Sequence, residues 1–230
     1  MKRSVVAVLA LGLVFSSIAA PSFAAKKKKK KAPKPVATTL YFHGNEVVGE
    51  VESSPQLADQ PLPMTPEKPS GSEPKSKQIV NGVATPNHEC SGNNLFPNFM
   101  GEVAGTVRGD MKITFHTISS PGNVVVRVWP DVMGLLCNSA ASGSADYVKP
   151  AGEIVVPLAN GTGKVEALLK NLKFNALGSM TIQISPENIP TPAGRNVFPP
   201  SFARVLYDTP TYESKVEFKC IPAKGKKACV

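Results

Sequence analysis

The groups in this chain best equipped for chemistry are three histidines, four cysteines and a scatter of carboxylates. His116 with Asp110 or Asp131 is the one pairing that suggests a Ser/His/Asp relay, whose members must converge in space rather than in sequence. The alternation of its segment places His116 on the polar side of a strand, where a histidine is usually solvated. There is no G-x-S-x-G elbow, no HExxH helix and no GxxxxGK[ST] phosphate loop. Glycoside hydrolysis needs two facing carboxylates, and here the acidic residues stand singly. No catalytic residue is assigned and the chain is not expected to be an enzyme. A secreted hydrolase with an unrecognised site is kept as the lesser alternative.

The cysteines are Cys90, Cys137, Cys220 and Cys229. An even number in an exported chain predicts two disulfides, with three pairings open. Cys220 and Cys229 flank Ile221 to Ala228, a basic Pro/Gly loop, so a local clasp of this pair is expected, which leaves Cys90 with Cys137. Zinc would require CxxC-like spacing or nearby histidines, and His43, His88 and His116 offer neither. Asp110, Asp131 and Asp146 fall at expected strand ends, where sandwich loops can hold calcium. No EF-hand-like ligand series accompanies them, and turn capping accounts for them more simply. No cofactor is expected.

Two features suit binding. Trp129, Tyr147, Tyr207 and Tyr212 are amphipathic rings of the kind that present a platform to a sugar or a peptide, so a carbohydrate or protein ligand is considered. The competing expectation is that Trp129 fills the core and the tyrosines cap strand ends. The second feature is the lysine run Lys26, Lys27, Lys28, Lys29, Lys30, Lys31 and Lys34. Of the 26 basic residues, two lie before it and seven within it, which leaves 17 against 17 acidic residues, all of them after Val36. The formal excess thus belongs to this tail. Such a run cannot pack and is expected to be disordered, either an electrostatic tether to an anionic envelope polymer or lipid surface at about 1 kcal/mol per lysine or only an extended, solubilising segment. Nucleic acid is not expected, because the rest of the chain has no basic excess and the tail has no aromatics for base stacking.

The elements that must position these groups divide the chain simply. Residues 1–24 combine Lys2 and Arg3, an apolar run and Ser22-Phe23-Ala24, the pattern of a cleaved signal peptide, so the product is expected to be secreted or cell-surface associated. Residues 25–37 form the basic tail, and 38–230 a single domain. Within it, 53–77 carries six prolines and is expected to be a long loop, either packed as an extended strap or acting as a linker. Met111, Ile113 and Phe115 alternate with polar residues, turn formers occupy 119–123, and Val124 to Trp129 resume, which predicts a β-hairpin. Met180, Ile182 and Ile184 alternate in the same way. Val165 to Phe174 fits a helix face or a strand, and its β neighbours favour strand. Nine or so short strands predict an all-β, antiparallel β-sandwich of jelly-roll type.

HTISSPGNVVVRVWPDV, the following Cys137-Asn138-Ser139, and the later Arg204 to Asp208 and Val216 to Cys220 together resemble the non-catalytic jelly-roll domains of secreted bacterial hydrolases. The resemblance spans about Gln78 to Cys220 and lies in strand cadence. It implies a substrate-binding, stabilising or surface-attaching module and carries over no functional residue. The expectation is a non-catalytic binding module tethered to an anionic envelope, with a purely structural envelope protein as the alternative.

Overall fold

A computed structural model describes residues 33–44, 61–80, 98–130, 150–187, 189–190, 196–197 and 202–230. The leader, the lysines before Lys34, Cys90, Cys137, His88, Asp131, Asp146 and Tyr147 lie outside the described residues. The chain is all-β, an antiparallel sandwich, with eleven strands and no helix among the described residues. Pro33–Val230 forms one compact unit.

Two long strands form its spine. β4 (Asn98–Ser119) and β7 (Gly161–Pro186) pair antiparallel from Asn98↔Gln183 to Ser119↔Gly161. Their alternating apolar residues, Met111, Ile113 and Phe115 on one and Met180, Ile182 and Ile184 on the other, are all fully buried. This is the period of two that a half-buried strand requires. The register shifts between Gly109 and Met111, where Gly109 and Asn171 take positive φ of 102° and 56°. The Asp110 carboxylate accepts the Asn171 N–H at 3.0 Å, which holds the bulge. An extra residue bends a strand pair locally.

The other strands are β1 (Val36–Phe42), β2 (Leu62–Thr65), β3 (Lys75–Val80), β5 (Gly122–Trp129), β6 (Gly152–Leu158), β8 (Ile189–Pro190), β9 (Asn196–Val197), β10 (Ala203–Tyr207) and β11 (Lys215–Pro222). The main sheet runs β11-β1-β2-β4-β7-β5-β6, and β11 and β10 also pair with β4. Since β11 holds β1 on one edge and β4 on the other, β4, β2, β1 and β11 close a ring. Leu40, Phe42, Phe99, Ile113 and Val216 belong to the core these strands enclose. Phe42 stacks on Phe99 at 4.1 Å, and Tyr207 meets Phe99 edge-on at 5.5 Å. Each such side chain contributes about 1.5–3 kcal/mol by burial.

Three sequence expectations meet the structure here. Val165 to Phe174 is strand, within β7. The expected hairpin of 111–129 is not one: β4 and β5 both pair with β7, which stands between them in the sheet. The tight connection after Ser119 is a corner, beside the equally tight one after Leu158, and the Ser119 hydroxyl donates to the Ala159 carbonyl at 2.9 Å across it. The proline-rich segment is not simply a loop. Leu62–Thr65 packs as a strap parallel to β4 with Met64 buried, and β3 begins at Lys75. Pro63 fits because its carbonyl, not its missing N–H, is used, accepting the His43 N–H at 2.9 Å.

Candidate functional site

The site begins where the described chain begins. Val36 pairs with Cys220, so β1 enters the sheet beside the last strand and carries Lys34, the end of the lysine run, to the C-terminal loop. That loop is shaped by three devices. The expected disulfide joins Cys220 to Cys229. Lys226 N–H donates to the Ala223 carbonyl at 2.9 Å, with Gly225 at φ 88°, a turn whose third residue demands glycine. Ala104 of β4 then grips both arms, donating to the Cys229 carbonyl at 2.8 Å and accepting from Ala223 N–H at 3.1 Å.

Gly105 makes room for this clasp. A Cβ there would stand 2.4 Å from the Ile221 carbonyl oxygen, 2.8 Å from Cys220 Sγ and 3.2 Å from Cys229 Sγ. The buried disulfide therefore seats directly on the β4 backbone and fixes a loop carrying Lys224, Lys226 and Lys227, all exposed. With Lys34 these lysines border a cavity of about 450 Å³ whose walls include Pro33, Val36 and Pro222.

The basic surface continues onto the sheet. On the outer face Arg108 stands opposite Lys173, and the pairing of Cys220 with Val107 brings Lys219 beside Arg108 on the next strand. All three are exposed. Strands lie about 4.8 Å apart, so these cations fall well within a Debye length of about 8–10 Å. None of them, nor Lys34 or the clasp lysines, has an ion-pair partner among the described residues.

The other end of the same outer face is neutralised. Lys112 and Lys164 both reach Glu166, at 2.8 and 2.9 Å, and Lys215 lies 3.0 Å from Glu213 and 3.7 Å from Glu217. Hydrogen bonds from Lys112, then Lys164, lower Glu166 to a pKa of about 2, and the Glu213 bond chiefly raises Lys215. A domain whose charges balance in number is thus polarised in space, paired at the Tyr41 end of the sheet and with its unpaired cations gathered at the Val36 end, where Glu102 is the exposed carboxylate of the outer face.

The remaining polar clusters are structural in geometry. His43 Nδ1 lies 2.7 Å from Asp208 and Nε2 3.0 Å from the Glu67 carbonyl, while Lys75 bonds the Gly44 carbonyl at 2.6 Å and approaches Asp208 at 3.3 Å. Both ring nitrogens face acceptors within the protein, so neither is turned to an open site. The cluster latches β1, the β2–β3 connection and the end of β10. Among the described residues no carboxylate hydrogen-bonds the His116 ring: Asp110 serves the bulge, and Asp131 lies outside the described residues. His116 instead meets Tyr212 edge-on at 5.6 Å, and the buried Ser214 hydroxyl accepts its backbone N–H while donating to the Leu206 carbonyl.

The expected aromatic platform does not assemble from its described members. Trp129 is 2% exposed and Tyr207 is fully buried, so neither offers a ring face to a ligand. Trp129 extends from the face of β5 that also bears Arg127, which donates to Glu153 at 2.7 Å from Nε and to Ser185 at 2.7 Å from Nη1. Tyr212 alone of the four is partly exposed among the described residues. Sequence reasoning put Lys34 in a disordered tail running to residue 37, whereas Val36 and Ala37 already pair with Cys220 and Lys219 in β1, and it missed Arg108, Lys173, Lys219 and the clasp lysines. Only the basic character of the Ile221 to Ala228 loop hinted at them.

No family model and no curated protein matches the sequence. Solved structures with a similar arrangement of strands include a CocE/NonD family hydrolase from Staphylococcus aureus, 10% identical over 82% of this chain and 37% of the hydrolase, with a TM-score of 0.48. An aminopeptidase from a marine sediment archaeon, Thaumarchaeota archaeon, is 10% identical over 81% of this chain and 37% of its own, with a TM-score of 0.43. A CBM4 structure is 9% identical over 66% and 75% of the two chains, with a TM-score of 0.35. This chain spans little more than a third of the length of the two enzymes, and likeness at this level assigns no activity.

Proposed function

We propose that this is an exported, non-catalytic binding module that attaches to an anionic surface of the cell envelope through the cationic end of its sandwich. The observation that carries the reading is the Val36↔Cys220 pairing, which sets Lys34 against the disulfide-closed loop of Lys224, Lys226 and Lys227. Lys34, the last lysine of the run, thereby stands with the domain's own lysines on one basic surface. The signal-like segment 1–24 and the disulfide support export. Lysines near an anionic surface contribute about 1 kcal/mol each at moderate salt, so the clasp alone adds a useful increment to the tail.

Retention on cell-envelope fractions over a salt series tests this. The chain from residue 25 is compared with a deletion of 26–34 and with Lys224, Lys226 and Lys227 all changed to Ser. Each change is expected to lower retention and both together to lower it further than either alone. Retention indifferent to salt and to both changes overturns the reading.

A further inference from the structure

Resting on that anionic-surface reading, we infer that the surface is a lipid bilayer bearing anionic headgroups, and that Leu177 enters it. Leu177 is 87% exposed. Single exposed apolar side chains are ordinary, so its position is what matters. The β4–β7 register sets Leu177 opposite Ala104, Asn175 opposite Thr106 and Lys173 opposite Arg108, all on the outer face. Successive residues on one face of a strand are about 7 Å apart, which puts Leu177 two such steps from the facing cations.

On the far edge of Ala104 the clasp is bonded through Cys229 and Ala223, so the clasp lysines border the same spot. The result is an exposed Leu177 with the clasp lysines across Ala104 and Arg108 and Lys173 two steps along the ladder, Glu102 being the exposed carboxylate on the same face. A soluble polyanion would be served by the cations alone. An apolar side chain among them gains a partner only where hydrocarbon lies beneath the charges, as in a bilayer interface, with the long basic side chains reaching to headgroup level. The clasp holds this edge rigid, so Leu177 is presented ready-made.

The test compares two ligands, phosphatidylcholine vesicles containing phosphatidylglycerol, and soluble polyphosphate. It uses the chain from residue 25, because the apolar leader would itself partition into lipid. Leu177→Ser is expected to lower partitioning into the anionic vesicles about fivefold, a fraction of the full burial value of a leucine, and to leave polyphosphate binding unchanged. Trp129, the single tryptophan, is buried and reports folding of the variant by its emission. Wild-type partitioning of Leu177→Ser overturns the lipid inference and leaves the anionic reading standing. Failure of the unaltered chain to bind either ligand overturns both.

Discussion

Arg108 and Lys173 face each other across the β4–β7 ladder, like charge directly opposite like charge, with no carboxylate bridging them among the described residues. Facing like charges destabilise an antiparallel pair by a few tenths to about 1 kcal/mol. A sheet that neutralises Glu166 with two lysines a few residues along leaves this pair unneutralised. The strain is intelligible if the cations meet an external anion.

Changing Arg108 to Ser should therefore stabilise the free protein by roughly 0.2–1 kcal/mol while weakening binding to anionic surfaces. Thermal melts in parallel with binding to an anionic matrix check this. A variant that loses both stability and binding would make Arg108 a structural residue.

Gly105→Ala should destabilise by about 2–4 kcal/mol. The added carbon would stand within 3.0 Å of both the Ile221 carbonyl oxygen and Cys220 Sγ, and backbone cannot yield as a flexible side chain can. Denaturant unfolding measures the loss, and faster reduction of the Cys220–Cys229 bond should accompany it. Ordinary stability in this variant would show that the clasp does not seat on β4.

Replacing Cys220 and Cys229 with Ser removes a closure of sequence separation 9 and should lower stability by roughly 2–3 kcal/mol. The lysines of the freed loop should also contribute less to binding, so the double variant approaches the Lys224/Lys226/Lys227 triple Ser variant in affinity. Equal affinity to wild type would mean that the loop needs no fixing.

His116 makes stability depend on pH with a definite sign. Burial, then the charge of Lys164, lowers its pKa below the ordinary 6.5, opposed by Glu213. The folded state thus favours the neutral ring. Its contribution is fully present above 6.5 and is lost as pH falls from there toward the lower folded value. Subtracting the stability profile of His116→Gln from that of wild type should isolate this loss. A proton titration of the His116 ring with its midpoint above 6.5 would contradict the account.

Trp129→Ala should cost about 3–5 kcal/mol, as expected of a ring 2% exposed, and should act on ligand binding only through folding. A variant that melts like wild type yet binds less would restore Trp129 as a contact residue.

Much of the fold was legible locally. The alternation of Met180, Ile182 and Ile184, and of Met111, Ile113 and Phe115, is a property of neighbouring residues, so it survives without knowledge of the fold. The Cys220–Cys229 clasp was likewise legible because both partners flank one short loop. Pairing over long separations was not: β7 comes between β4 and β5 through a register that no turn signal encodes. Pro63 in a strand followed from which backbone group the neighbour uses, a fact of the partner strand. The site was hidden for the same reason. Counting charges gives a balanced domain, and only the register that sets Lys173 against Arg108 and Lys34 against the clasp separates paired ions from unpaired ones.

The most direct test of a cationic surface on the domain itself is the slope of log affinity for polyphosphate against log salt, which tracks the number of counterions displaced. The chain from residue 25 is compared with the same chain lacking 26–34. The account predicts that deletion reduces the slope but leaves a clear remainder, which then disappears when Arg108, Lys173, Lys219 and the three clasp lysines are changed to Ser. A slope that vanishes on removal of the tail alone would contradict it, leaving the sandwich as a neutral body behind a charged tail.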